Sequence, residues 1–123
     1  MRLEDLRIAF LTRFVETHLA DASLSARDVA SHVRLSESRV RQLMKQHMHT
    51  SLCKYIRARR LSRARELLQS SFLSVKEVMT KVGVNDPSHF SKDYKTLFKI
   101  APRCDRFPEG ENRPKTGISE LAK

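Results

Sequence analysis

One phrase is spelled twice in this chain of 123 residues. It runs LSARDVASHVRLSESRVRQLM from Leu24 and LSVKEVMTKVGVNDPSHFSKDY from Leu73. Leu24, Ser25, Arg27, Asp28, Val29, Ser31 and Val33 align with Leu73, Ser74, Lys76, Glu77, Val78, Thr80 and Val82 at an offset of 49 (73 minus 24). Beyond the next turn the second copy carries one residue more, so Ser36 aligns with Asp86, Val40 with Phe90 and Met44 with Tyr94. Repetition at this period marks a duplicated supersecondary unit, and two copies are too few for an extended solenoid.

Each copy opens with the same start signal. Ser25 with Asp28, and Ser74 with Glu77, have the spacing of a capping box ahead of an apolar run. In the first copy Val29, Ala30 and Val33 form the inner face of a short helix, Arg34 and Leu35 make the turn, and Ser36 caps a second helix that buries Val40, Leu43 and Met44. In the second, Val75, Val78, Met79 and Val82 face inward and Gly83 supplies the turn. Asp86 before Pro87 is an N-cap with proline at the first helical position, and Phe90, Tyr94, Leu97 and Phe98 are the expected buried set. Upstream, residues 3–19 place Leu3, Leu6, Phe10, Phe14, Val15 and His18 at helical intervals, which predicts one buried face.

Residues 51–69 predict a single connecting helix, with Leu52, Ile56, Leu61, Ala64, Leu67 and Leu68 buried and Lys54, Arg57, Arg59, Arg60, Arg63 and Arg65 on a strongly basic surface. At about 1.5 Å per residue it spans roughly 28 Å, close to the roughly 34 Å between successive major-groove faces on one side of a duplex. Glycine is scarce and no alternating apolar run occurs, so the fold class is all-α: two helix-turn-helix subdomains, homeodomain-like three-helix units, joined by a long central helix. The expected organisation is 1–50 for the first subdomain, 51–69 for the connecting helix, 70–106 for the second subdomain and 107–123 for a disordered tail that can touch DNA nonspecifically.

The outward stripes carry the chemistry. Ser38, Arg41, Gln42 and Lys45 in the first copy, and Ser88, Ser91, Lys92 and Lys95 in the second, recur at i, i+3, i+4 and i+7. Side chains of these types read base edges from a helix in the major groove, with Arg41 and Gln42 best suited because each bonds a purine edge in bidentate fashion. Taken singly, each residue is better read as part of a solvated surface; the repeated stripe behind a repeated turn favours double-stranded DNA. Lys, Arg and helix N-termini hold phosphates, which points to Ser36, Lys45, Arg57 and Lys95. The net charge of +10 agrees with a polyanionic partner.

Other functions fare worse. A metal or catalytic site would need His47, His49 and Cys53, with His32 or His89 as further candidates, yet residues two apart on a helix point in different directions, so His47 and His49 share a ligand face only if the helix ends between them. No phosphate loop, nucleophile elbow or carboxylate pair occurs, so no enzyme, metal or cofactor is expected. The aromatic residues sit at core spacing and leave no stacking platform for RNA. Cys53 and Cys104 lack a disulfide spacing and are expected to be free thiols, and no stretch suits a membrane span or a secretory signal. The remaining alternative is a helical protein-interaction module with weakened DNA recognition.

Over residues 24–102 the chain resembles the DNA-binding domain of the AraC/XylS family of bacterial transcription regulators. The resemblance rests on LSARDVASHVRLSESRVRQLMKQ, YIRARRLSRARELL and VGVNDPSHFSKDYKTLFKIAP in that order. It implies seven helices in two helix-turn-helix units and base contacts at Ser38, Arg41 and Gln42 and at Ser88, His89, Ser91 and Lys92. It also implies a cytoplasmic regulator on the bacterial nucleoid that binds promoter DNA alone or in pairs and usually activates transcription by contacting RNA polymerase. Larger members carry a separate effector or dimerisation domain, for which no residues remain here. That leaves a stand-alone regulator or a piece of a longer protein, with any homodimer formed through the missing or separate domain. The sequence departs from the family pattern in four places. His49 and Lys99 replace glycines after the recognition helices, Met79 a small residue, and Val84 the phenylalanine after Gly83. A left-handed backbone at His49 and Lys99 would cost on the order of 1 kcal/mol each.

Overall fold

A computed structural model describes residues 2–106. The tail expected over 107–123 lies outside the described residues. Among those described there are six α-helices: α1 (Leu3–Thr17), α2 (Ala26–Val33), α3 (Glu37–Met48), α4 (Leu52–Ser70), α5 (Val75–Lys81) and α6 (Pro87–Phe98). A 3-10 turn, Pro102–Cys104, is the seventh helical element. The chain divides into two compact units whose boundary falls inside α4, between Arg60 and Leu61.

The first unit closes on Leu11, Val15, Leu19, Val29, Ala30, Val40, Met44, Leu52 and Ile56. Burying an aliphatic side chain of this kind contributes about 1.5–3 kcal/mol, so α2 and α3, too short to persist alone, are held by this core. The cap signals operate as the sequence implies. Ser25 Oγ accepts from the Asp28 backbone N–H while Asp28 accepts from the Ser25 backbone N–H, and Ser36 Oγ accepts from the Arg39 backbone N–H.

Helix α1 differs from the expectation. Its buried residues are Leu11 and Val15, whereas Leu3, Leu6 and Phe10 are 61%, 41% and 53% exposed. Phe14 lies at the edge of the core, its ring stacked against His18 and His32 at 4.1 and 4.3 Å. The helix carries apolar residues on two sides, and only the side of Leu11 and Val15 meets α2 and α3. It ends at Thr17, with the His18 N–H bonded back to the Phe14 and Val15 carbonyls.

The second unit gathers Leu61, Ala64, Leu68, Val78, Met79, Val82, Phe90 and Tyr94. Leu97, expected in the buried set, is instead 46% exposed, because Phe98 is the residue that turns inward and sets its ring edge-on to Tyr94 at 4.7 Å. Leu67 is half-buried. Met79 occupies the place of Ala30 in the repeat and is accommodated within the core, where a thioether adapts to irregular space. Both carbonyls accept from the turn five residues on, Leu35 N–H to Ala30 at 3.0 Å and Val84 N–H to Met79 at 2.9 Å.

Unit two is sealed by a residue without a counterpart in unit one. Asp105 is wholly buried; Oδ2 accepts from the Tyr94 hydroxyl at 2.7 Å and Oδ1 from Gln69 Nε2 at 3.3 Å. Arg65 Nε lies 2.9 Å from Oδ2, an ion pair whose N–H is not aligned as a hydrogen bond, and its guanidinium sits 4.7 Å from the centre of the Phe98 ring. Next to it Arg106 donates to the carbonyls of Leu68, Ser71 and Leu73, tying down the end of α4.

The turns repeat in backbone as well as in sequence. Arg34, at φ 60°, stands where the second copy has Gly83, at φ 81°. His49 and Lys99 also adopt the left-handed region, at φ 57° and 64°. Only glycine occupies that region without steric cost. Arg34→Gly is therefore expected to raise stability by up to about 1 kcal/mol, read as a higher urea midpoint; a lower midpoint would refute the argument.

Candidate nucleic-acid interface

Helix α3 presents Ser38, Arg41, Gln42 and Lys45 to solvent while Val40, Leu43 and Met44 are sealed beneath. Arg41 Nη2 lies 3.4 Å from Ser38 Oγ as donor, one turn away on the same face. Gln42 accepts at Oε1 from Arg39 Nη1 at 2.8 Å. Ser36, expected at a phosphate, is exposed at the helix N-terminus, where its hydroxyl already caps Arg39.

Helix α6 repeats the arrangement. Ser88, His89, Ser91, Lys92 and Lys95 are all exposed over a buried Phe90 and Tyr94. Asp86 caps the helix through Oδ1, accepting from the Ser88 and His89 backbone N–H groups at 3.0 and 3.2 Å. Its Oδ2 lies 2.9 Å from His89 Nδ1. The His89 backbone N–H and the neighbouring imidazole hold the Asp86 carboxyl below its usual range. His89 therefore shares its ring with the cap, which the stripe alone did not reveal.

The basic helix α4 is less available than its composition suggests. Arg59 pairs with Glu16, Arg60 donates to the Leu19 and Asp21 carbonyls at 3.0 and 2.7 Å, Arg63 pairs with Glu66, and Arg65 pairs with Asp105. These cations already have partners within the protein. Arg57, expected at a phosphate, is exposed, as is Lys54.

Lys54 belongs to a second basic feature, which the helical stripes do not indicate. A cavity of about 560 Å³ beside the α3 stripe is lined by Arg41, Lys45, His49, Thr50, Ser51 and Lys54 among others. Ser51 Oγ accepts from the Lys54 backbone N–H at 3.2 Å, so the N-terminal end of α4 opens onto this cavity. Three cations and a helix N-terminus favour an anion there. The left-handed turn at His49 is what brings the end of α3 and the start of α4 together, and no stripe count would find it.

None of the histidines and cysteines weighed as metal ligands converges. His47 faces Glu4 and Asp5, at 3.5 and 3.9 Å, His49 forms the left-handed cap, and Cys53 is an exposed free thiol. Among the described residues no helix is long and apolar enough to cross a membrane.

Residues 29–106 match the family model described as a helix-turn-helix domain. The chain belongs to the AraC/XylS family. It is 31% identical over 98 residues to the arabinose operon regulatory protein of Escherichia coli (strain K12), covering 80% of this chain and 34% of that protein. It is 30% identical over 108 residues to the regulatory protein PocR of Salmonella typhimurium, covering 88% and 35%. The chain thus spans about a third of the length of these AraC/XylS relatives. Among solved structures, an AraC-type DNA-binding-domain-containing transcriptional regulator from Chromobacterium violaceum superposes with a TM-score of 0.79 at 30% identity, over 92% of this chain and 96% of that one. The DNA-binding domain of AdpA, solved with its target DNA, has the same fold, with a TM-score of 0.75 at 18% identity over 80% and 87%.

Proposed function

We propose that this chain binds duplex DNA sequence-specifically through α3 and α6 and so regulates transcription. The observation that carries the proposal is the duplicated exposed stripe: the same polar and cationic positions, behind the same tight turn, over two separate sealed cores. Arg41 suits guanine O6 and N7, and Gln42 suits adenine N6 and N7. Ser38 in the first unit, and Ser88, His89, Ser91 and Lys92 in the second, supply further base contacts. Ser36, Lys45, Arg57 and Lys95 hold phosphates, joined by Lys54 at the basic cavity. Family membership and the AraC-type neighbour at 30% identity support this reading.

The proposal includes one duplex engaged by both helices in successive turns, which predicts two preferred blocks about 10 base pairs apart. It also includes a bacterial cytoplasmic location on the nucleoid, contact with RNA polymerase, and pairing through a separate domain, as family membership suggests.

Selection of bound sequences from a random duplex pool tests the core of it. The protein should enrich a defined site. Arg41→Ala should relax the preference at one guanine by about 5- to 150-fold, with an unchanged melting temperature because the residue is exposed. An identical enrichment profile for this variant would refute the assignment.

A further inference from the structure

The outward stripe leaves Arg39 out, since it sits between the exposed face of α3 and the first turn of α1 and is 31% exposed. Its guanidinium spans two partners. Nη1 donates to Gln42 Oε1 at 2.8 Å, and Nη2 donates to Glu4 Oε2 at 2.7 Å. Arg39, and then His47 at 3.5 Å from the other carboxylate oxygen, hold the Glu4 carboxyl below its usual range. We infer that Glu4 and Arg39 are positioning residues for base recognition: they fix the Gln42 side chain before DNA arrives.

The inference rests on Gln42 as a base reader and adds two residues, one of them on α1, outside the duplicated motif altogether. A rigid planar fork suits the task, because each of its two ends holds one partner in a set direction. The Gln42 carbonyl oxygen has two lone pairs. With one taken by Arg39, one acceptor site and both amide N–H groups stay open, and an adenine edge needs one acceptor and one donor. Glu4 matters because an unpaired Arg39 at this edge would turn to a phosphate instead. Ordering an exposed glutamine on binding weakens affinity by about 2- to 12-fold, and that is the part the relay removes in advance.

The test compares this chain of 123 residues with its Gln42→Ala, Arg39→Ala and Glu4→Gln variants, in the random-pool selection and then on the selected duplex at several salt concentrations. Gln42→Ala should erase the preference at one base pair. Arg39→Ala and Glu4→Gln should each relax that same base pair by about 2- to 12-fold, leaving the other positions and the salt slope unchanged. In the free protein, both should collapse the distinct amide-proton shifts of the Gln42 side chain toward those of an unrestrained glutamine. If Gln42→Ala alone has an effect, the relay is refuted while the reader stands. If Gln42→Ala has none, both fall. If Arg39→Ala weakens all sequences equally and lowers the salt slope by about 1, Arg39 holds a phosphate and the inference is overturned. Melting temperatures of the variants guard against a folding defect, and Glu4→Gln, being nearly isosteric, keeps the test intact if Arg39→Ala disturbs α3.

Discussion

Asp105→Ala is expected to lower the stability of the second unit by about 2–4 kcal/mol. The carboxylate is fully buried and serves the Tyr94 hydroxyl, the Gln69 amide and the Arg65 guanidinium at once. Its removal leaves the buried Tyr94 hydroxyl without this acceptor, a loss of about 1–3 kcal/mol by itself. Arg65 contributes less, since at 37% exposure water can take over part of the ion pair. That is why the figure stays below the top of the range for a wholly buried pair. Asp105→Asn, which keeps the shape and one acceptor, should lose less. Urea unfolding combined with amide exchange would locate the effect: protection should fall in α5, α6 and the end of α4 and hold in α2 and α3. An unchanged urea midpoint for Asp105→Ala would show that the buried network contributes nothing net.

Raising salt from 50 to 200 mM should weaken binding to the selected duplex about a thousandfold or more, if six to ten phosphates are neutralised, by counterion release. Lys45, Arg57 and Lys95 on the helices and Lys54 at the cavity are among the groups held responsible. The occupied arginines Arg59, Arg60, Arg63 and Arg65 should add little, because they already bond carboxylates or carbonyls within the protein. Lys45→Ala should therefore reduce the slope of log affinity against log salt by about 1, whereas Arg63→Ala should leave it nearly unchanged. A flat salt response in the parent protein would count heavily against the proposed DNA contact.

Much of the fold is legible in the sequence because its signals are local. Ser25 with Asp28, Ser74 with Glu77, and Asp86 before Pro87 announce helix starts within a single turn, and the repeat supplies each signal twice. The α3 face is legible for the same reason: Val40, Leu43 and Met44 alternate cleanly with Ser38, Arg41 and Gln42. Helix α1 is not, since apolar side chains fall on two of its faces and periodicity cannot say which one its neighbours cover. Leu97 and Phe98 are adjacent and equally apolar, so only the packing of Tyr94 decides between them. Asp105, three residues after Pro102, looks like any surface residue. Its partners stand 11, 36 and 40 positions away in sequence (94, 69 and 65 from 105). The basic run on α4 misleads in the other direction, because charge reveals nothing about which arginines already have partners. The cavity around Lys54 depends on a left-handed residue, His49, of a type that does not advertise that conformation.

A single rod of 19 residues, α4, is shared between two cores that part company between Arg60 and Leu61. Neither portion is long enough to keep its hydrogen bonds in water unaided. Melting of the second core should therefore shorten the rod to its first half and leave the earlier helices folded, so that injury to one reading module truncates the molecule without erasing it.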